Sequence, residues 1–97
     1  MLVKIHKSYR NVVAVCDSEL IGKKFEQGRM QLHLNEFFNG ERKTAEEVFE
    51  LMQDLEKEDV IFNIVGEKAI KTALKAEIIE KEGIKTIQGI PFALVLL

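Results

Sequence analysis

Two short stretches at the start of the chain alternate apolar and polar residues with a period of about two. They are LVKIHKSY and NVVAVC, and both are rich in β-branched residues, a pattern typical of half-buried β-strands. We therefore predict a hairpin that turns near Arg10 and Asn11 and places Lys4 and His6 on its polar face. The stretch RMQLHLN repeats the pattern and predicts a third strand of the same sheet, with Arg29, His33, Lys4 and His6 lining one polar surface.

The stretch CDSELIGKKFEQG connects the second and third predicted strands. Asp17 is a suitable N-cap for one helical turn, and Gly22 can end that turn because glycine adopts left-handed backbone angles without strain. Turn formation explains most of this stretch. Turn formation does not explain Lys23 and Lys24. We favour ordinary solvation of these two lysines, with phosphate binding as the alternative.

Helical spacing of apolar residues begins after Thr44. Thr44 and Glu47 form a capping box, so we predict a helix over residues 45–57. The following stretch, VIFNIVGEKAIKTALK, contains two apolar rows at helical spacing and predicts a second helix from about Val60. Gly66 would lie inside that helix, where close packing is the favoured explanation for it.

Two apolar segments allow two interpretations each. FALVLL, which follows Pro91, is typical of a strand buried on both faces; we favour a central strand, with a dimer interface as the alternative. Phe37 and Phe38 precede an Asn-Gly turn, and we favour burial of both, with exposure of one ring for stacking as the alternative.

Together these elements predict an α+β fold with a mainly antiparallel sheet and two helices packed on one of its faces. The predicted order is β-β-(short helical turn)-β-α-α-β-β. With 97 residues, of which 46% are hydrophobic and 31% charged, the chain is expected to form a single domain over residues 1–97. The single cysteine and the absence of a long apolar run predict a soluble cytoplasmic protein in which Cys16 is buried.

Charge is unevenly distributed along the chain. Residues 1–43 hold eight Lys/Arg and five Asp/Glu, a balance of +3, and residues 44–97 hold six and eleven, a balance of −5. Such asymmetry is typical of a surface for a polyanion, and it also occurs on ordinary solvated surfaces. The candidate phosphate-contacting residues are Lys4, Arg10, Lys23, Lys24, Arg29, Arg42 and Lys43.

Candidate catalytic chemistry is sparse. His6, His33 and Cys16 match no compact metal-ligand spacing, so we predict neither a metal site nor a cofactor. A weaker hypothesis is a small-ligand or enzyme site, which would require Asp17, Asn63 and Glu67 to converge.

Four motifs carry a family resemblance. CDSELIGKKFEQG, FFNG, NIVGEKAI and QGIPFA occur in that order over nearly the whole chain, which resembles the archaeal family called domain of unknown function 424. The resemblance implies a small archaeal cytoplasmic protein without assigned chemistry, for which an RNA-binding or translation-related role has been suggested. The motif positions are Cys16, Asp17, Leu20, Gly22, Lys23, Phe38, Gly40, Asn63, Gly66, Glu67, Gly89 and Pro91.

These observations favour a non-catalytic module that binds RNA or a ribonucleoprotein and is linked to translation. The alternative is a protein-protein interaction module, or a homo-oligomer, that uses the apolar C-terminal strand or the acidic helices. No association with a membrane is expected.

Overall fold

The computed structural model describes residues 1–96, which form two α-helices, a six-stranded sheet and a separate two-stranded sheet. The predicted α+β class is confirmed. The strands and helices are β1 (Leu2–His6), β2 (Val12–Cys16), β3 (Lys24–Gln27), β4 (Met30–His33), β5 (Glu41–Arg42), α1 (Ala45–Leu55), β6 (Ile61–Val65), α2 (Glu67–Lys75), β7 (Lys85–Ile87) and β8 (Ile90–Leu96). Short 3-10 turns occur at Ser18–Leu20, Glu36–Phe38 and Lys81–Gly83.

The six-stranded sheet has the order β5-β1-β2-β6-β8-β7. The predicted hairpin is confirmed, since β1 pairs antiparallel with β2 in a register that joins Leu2 to Cys16 and His6 to Val12. One pair, β2 with β6, is parallel, and the other neighbours are antiparallel. The sheet is therefore mixed, although mainly antiparallel as predicted.

The two faces of this sheet bury different apolar clusters, because successive residues of a strand point to opposite faces. On one face Val13, Phe62 and Ile64 pack with Val48 and Met52 of α1, and with residues of α2. We call this the helix face.

On the opposite face Ala14, Cys16 and Val65 pack with Leu34 and Phe38. The hairpin β3-β4 contributes partly buried apolar side chains to the same cluster, and we call this the hairpin face. Lys4 and His6 lie on it, because they alternate with Val3 and Ile5 along β1.

The prediction that the third strand belongs to the main sheet is wrong. Residues Met30–His33 do form a strand, but it pairs with Lys24–Gln27 in a separate two-stranded sheet. Arg29 and His33 therefore do not share a sheet with Lys4. A period of two identifies a strand but carries no information about its neighbour, and Gly28, with φ of 61°, allows a tight local turn.

The predicted second helix is wrong over its first part. Residues Ile61–Val65 form β6 in the middle of the sheet, and α2 begins only at Glu67. The break occurs at Gly66, whose φ of 110° is incompatible with a helix. A short apolar run buried on both faces satisfies the helical and the strand periods equally well, so periodicity alone could not separate them.

The first helix agrees with its prediction. Thr44 accepts a hydrogen bond from the Glu47 backbone N–H at 3.1 Å, and the Glu47 carboxylate accepts one from the Thr44 N–H at 2.9 Å. These hydrogen bonds lower the pKa of Glu47. The helix ends at Leu55, two residues before the predicted boundary.

The C-terminal strand is central over part of its length. β8 pairs with β6 from Phe92 to Leu96, and with β7 from Ile90 to Phe92. In the sheet β8 lies between β6 and β7, so the preference for a central strand is confirmed, although β7 covers only Ile90–Phe92. Within residues 1–96 neither helix has the length and hydrophobicity needed to cross a membrane.

Candidate nucleic-acid interface

Charge in this protein separates between two parts of the structure. Residues 44–83, which include both helices, hold five Lys/Arg and eleven Asp/Glu, a balance of −6. The remaining residues, which build the strands other than β6, hold nine Lys/Arg and five Asp/Glu, a balance of +4. The two balances sum to the net charge of −2. The segment that contains both helices is therefore acidic, whereas the remaining residues together are basic.

An aromatic pair lies on the hairpin face at β1. The rings of His6 and Phe37 are stacked, with centroids 4.0 Å apart and planes inclined by 8°. His6 Nε2 also lies 2.8 Å from the carbonyl oxygen of Phe37. Phe37 is 36% exposed, so its ring remains accessible beside the imidazole.

The favoured burial of both phenylalanines is wrong for Phe37. Phe38 is buried at 6% exposure and meets Phe37 edge-on at 5.4 Å. The reason is local, since both residues belong to a 3-10 turn capped by the Asn35 side chain, which accepts from the Phe37 N–H at 3.0 Å. Adjacent residues in such a turn point in different directions, so only one ring reaches the core.

Lys4 holds this turn against the sheet. Its Nζ donates a hydrogen bond to the carbonyl oxygen of Glu36 at 2.8 Å. The lysine therefore lies close to the exposed aromatic pair, and its ammonium contributes positive charge next to a ring that could stack on a base.

The structure divides the seven candidate cations into three groups. Lys23, Lys24 and Arg29 are exposed on or beside the β3-β4 hairpin. Lys4, Arg42 and Lys43 lie at or beside β1 and its neighbour β5. Arg10 lies alone in the β1-β2 connection.

Several of these cations have acidic neighbours. Lys24 pairs with Glu26 at 3.4 Å and Lys43 with Glu41 at 3.5 Å. Both pairs are exposed or partly exposed, where salt and competing anions readily exchange with them. They leave both lysines able to meet a phosphate.

Arg10 is separated from the other candidates. It lies at the end of β2 opposite Cys16, and its guanidinium pairs with Asp59 at 2.7 Å. We therefore place Arg10 outside the candidate interface, because it lies in the β1-β2 connection and not on the β3-β4 hairpin or beside β5.

Asp17 forms a cap different from the predicted one. It makes no side-chain cap to the turn that follows it. Its buried carboxylate instead accepts hydrogen bonds from the backbone N–H groups of Lys68 at 3.0 Å and Ala69 at 2.8 Å, in the first turn of α2. The carboxylate thus satisfies N–H groups that have no partner within the helix.

Gly66 makes room for this cap. A Cβ atom at residue 66 would lie 2.4 Å from Cγ of Asp17, well inside van der Waals contact. The predicted reason for this glycine, close packing, is confirmed, although its position within a helix is not.

The proposed convergence of Asp17, Asn63 and Glu67 does not produce a reactive cluster. Asp17 caps α2, Glu67 is exposed, and Asn63 lies in the middle of β6, opposite Ala14. Across residues 1–96 no hydrogen bond or ion pair joins any two of these three side chains. The enzyme hypothesis therefore gains no geometry from them.

Five of the other motif residues have a structural role. Gly22 and Gly89 have φ of 84° and 79° in turns. Phe38 and Leu20 belong to the apolar cluster of the hairpin face. Pro91 accepts a hydrogen bond from the Gly66 N–H through its carbonyl oxygen at 2.8 Å, so the conformation of each of these residues is explained by folding alone.

Cys16 is buried as predicted, with no exposed surface. Burial, and to a smaller extent the negative charge of Asp17, raises the pKa of its thiol from 9.0 to about 11. The thiol is therefore protonated near neutral pH, and such a thiol is a poor nucleophile.

We expect Cys16 to resist alkylation near neutral pH until denaturant unfolds the protein. As pH rises through the interval from 9.0 to about 11, the unfolded chain loses the thiol proton before the native protein does. The free energy of unfolding should then fall by roughly 2–3 kcal/mol relative to a Cys16→Ala variant. Urea unfolding of both proteins across this interval is the measurement, and parallel pH profiles would contradict the expectation.

A cleft of about 460 Å³ lies between the two helices. Phe49 contributes to its lining, and the Nζ of Lys75 lies 5.7 Å from the centre of that ring. None of the residues singled out in the sequence lines this cleft. Within residues 1–96 no three His, Cys, Asp or Glu side chains are grouped as metal ligands.

The fold and the site define a small α+β protein that carries an exposed aromatic pair next to Lys4. Residues 6–97 match the family described as Protein of unknown function (DUF424), and the chain belongs to this family. The family resemblance found in the motifs is thereby confirmed.

A solved structure is similar to this chain over nearly its whole length. It is the crystal structure of an uncharacterized conserved protein from the archaeon Methanopyrus kandleri, with 28% sequence identity and a TM-score of 0.78. The similarity covers 98% of this chain and 90% of the other. No curated protein matches the chain.

Proposed function

We propose that this protein is a non-catalytic module of the archaeal cytoplasm that binds RNA or a ribonucleoprotein. The observation that carries the proposal is the charge distribution, with +4 in the strands and hairpin and −6 in the segment that holds the helices. Such a field attracts a polyanion to one side of the molecule and repels it from the other.

The exposed aromatic pair favours single-stranded RNA over a duplex. Bases in a single strand are free to stack on aromatic rings, whereas paired bases are not. Phe37 offers such a ring, and Lys4 places a charge near it. We propose that the base stacks on Phe37 while the hairpin lysines contact phosphates.

We further propose that translation is the process in which this protein acts, on the strength of the family resemblance. Co-sedimentation with ribosomes is the experiment that addresses this part, and it follows only if RNA binding is established.

Replacing Lys23 and Lys24 by glutamine is expected to weaken binding of a single-stranded RNA about tenfold at low salt, and to reduce the slope of log K against log salt by about 1.4. The physical reason is that two fewer counterions are released on binding. Fluorescence anisotropy across a salt titration measures both quantities. A structured RNA and a duplex DNA serve as comparison ligands.

Two further variants separate stacking from charge. Phe37→Ala should weaken single-stranded RNA binding by about 1–3 kcal/mol without changing the salt slope, because it removes a ring and no charge. Lys57→Gln with Lys71→Gln removes two positive charges, as the Lys23/Lys24 variant does, but in the segment that holds the helices, where both lysines are exposed. This control variant should leave RNA binding nearly unchanged.

The outcomes distinguish the proposal from a general charge effect. Equal losses of RNA affinity in the Lys23/Lys24 and Lys57/Lys71 variants would show that net charge alone drives binding. That result would contradict the assigned interface. Absence of binding to every RNA at low salt would overturn the proposed function.

A further inference from the structure

The outer edge of β8 is only partly covered. β7 pairs with Ile90–Phe92 and with no later residue of β8 described by the structure. Leu94 and Leu96 follow this covered part, and each is 63% exposed. An apolar strand thus extends beyond its neighbour on one side while it remains paired with β6 on the other.

The backbone groups of this exposed part point toward the open edge. In an antiparallel sheet the N–H and C=O of alternate residues point to the same neighbour. The carbonyl oxygen of Pro91 faces β6, because it accepts from the Gly66 N–H at 2.8 Å. Phe92 therefore faces β7, and by the same alternation Leu94 and Leu96 direct their N–H and C=O groups away from β6.

A groove of about 270 Å³ borders the same edge. Its lining includes Ile78, Ile79 and Gly83 from the α2-β7 connection, together with the last residues of β8. Space for an additional extended segment, apolar contacts and unpaired backbone groups therefore occur at one place, which is the arrangement required for strand addition.

We propose that a second copy of this chain adds to the sheet at this edge, with β8 antiparallel to β8 about a two-fold axis at Val95. This register pairs Leu94 with Leu96 of the partner subunit. A register centred on Leu94 is excluded because it would place a partner residue opposite Phe92, whose edge is already occupied by Lys85.

The absence of charge on β8 favours a second copy of the strand as the partner. IPFALVL contains no charged residue, so pairing of the two strands brings no like charges of β8 together, whereas native edge strands are commonly protected by charges. The free part of β1 differs, because Lys4, His6 and Lys7 lie on or beside it.

A two-fold pairing also closes the assembly. Addition of β1 from one copy to β8 of the next would repeat without end, whereas β8 against β8 uses the same surface on both subunits and stops at a dimer. Two six-stranded sheets then become one continuous sheet. The proposed dimer does not depend on RNA binding, and each can hold without the other.

Sedimentation velocity of the intact protein from about 1 μM to 1 mM tests the proposal. The wild-type chain is expected to reach twice the mass of the monomer as its concentration rises. Leu94→Lys with Leu96→Lys places like charges opposite each other at both symmetric contacts and should raise the dimer dissociation constant at least about tenfold.

A charge-complementary variant tests the register. Leu94→Lys with Leu96→Glu puts opposite charges across the same contacts, and its dissociation constant should return to within about threefold of the wild-type value. Ile5→Lys, at a residue that is 46% exposed on β1, is the control and should leave the dimer intact. Circular dichroism melts verify that every variant is folded.

Three results would overturn the inference. A wild-type chain that stays monomeric at every concentration removes the dimer. A dimer that tolerates two lysines at Leu94 and Leu96 uses another surface. Equal weakening by the like-charge and charge-complementary variants excludes the pairing about Val95.

Discussion

Replacement of Gly66 by alanine is expected to lower the free energy of unfolding by about 3–5 kcal/mol, because it combines backbone strain with a steric overlap. The residue has φ of 110°, which L-amino acids rarely adopt. The new methyl group would also lie 2.4 Å from Cγ of Asp17 and displace the carboxylate that caps α2. Urea unfolding followed by circular dichroism measures the change.

Two companion variants separate these contributions. Gly22→Ala introduces strain alone, because φ is 84° and no atom lies within 4 Å of the added Cβ, so a loss of about 1 kcal/mol is expected. In an Asp17→Ala background the overlap disappears, and Gly66→Ala should cost clearly less than it does in the wild-type chain. An additive double-mutant cycle would show that Asp17 and Gly66 are not coupled.

Replacement of Gly40 by alanine is expected to cost about 3 kcal/mol for a different reason. Its backbone has no positive φ, but a Cβ atom would lie 2.7 Å from Cβ of Lys4 and closer still to the carbonyl group of Val3. The backbone has little freedom to move there, because β5 pairs with β1 immediately afterwards. The short strand and the preceding turn would be pushed away from β1.

Thermal melts and hydrogen exchange measure this effect. The loss of 3 kcal/mol corresponds to a decrease in Tm of roughly 12–24 °C for a domain of this size, with exchange accelerated first at Leu2 and Val3. Gly83→Ala is the matched control, since nothing lies within 4 Å of its added Cβ. A Tm for Gly40→Ala equal to that of this control would contradict the expected overlap.

The sequence predicted those elements whose determinants are local. The start of α1 was predictable because Thr44 and Glu47 are three residues apart and satisfy each other's backbone. The β1-β2 hairpin was also predictable, because its two strands are neighbours in the sequence. The strand β6 was not predictable, because its five residues fit both the helical period and the strand period. The break at Gly66 depends on the Asp17 carboxylate, which is far away in the sequence.

The same distinction applies to the candidate interface. The positive charge of the N-terminal half is visible in the sequence, and so are its lysines. The stacked pair of His6 and Phe37 is not, because its members are separated by 31 positions and meet only when the 3-10 turn docks on β1. Likewise, Arg10 was grouped with the other cations by charge, although the structure places it at the far end of the strand.

The parallel pairing of β2 with β6 determines when the two charged parts of the molecule become one folded unit. The β1-β2 hairpin can close within a few residues, whereas β6 must return from about 45 positions further along the chain, and such closure is slow. We therefore expect docking of β6 to limit the folding rate. Until that step the inner edge of β2 lacks a partner, so a fragment that ends before β6 would contain every candidate phosphate contact and still fail to form the surface that presents them.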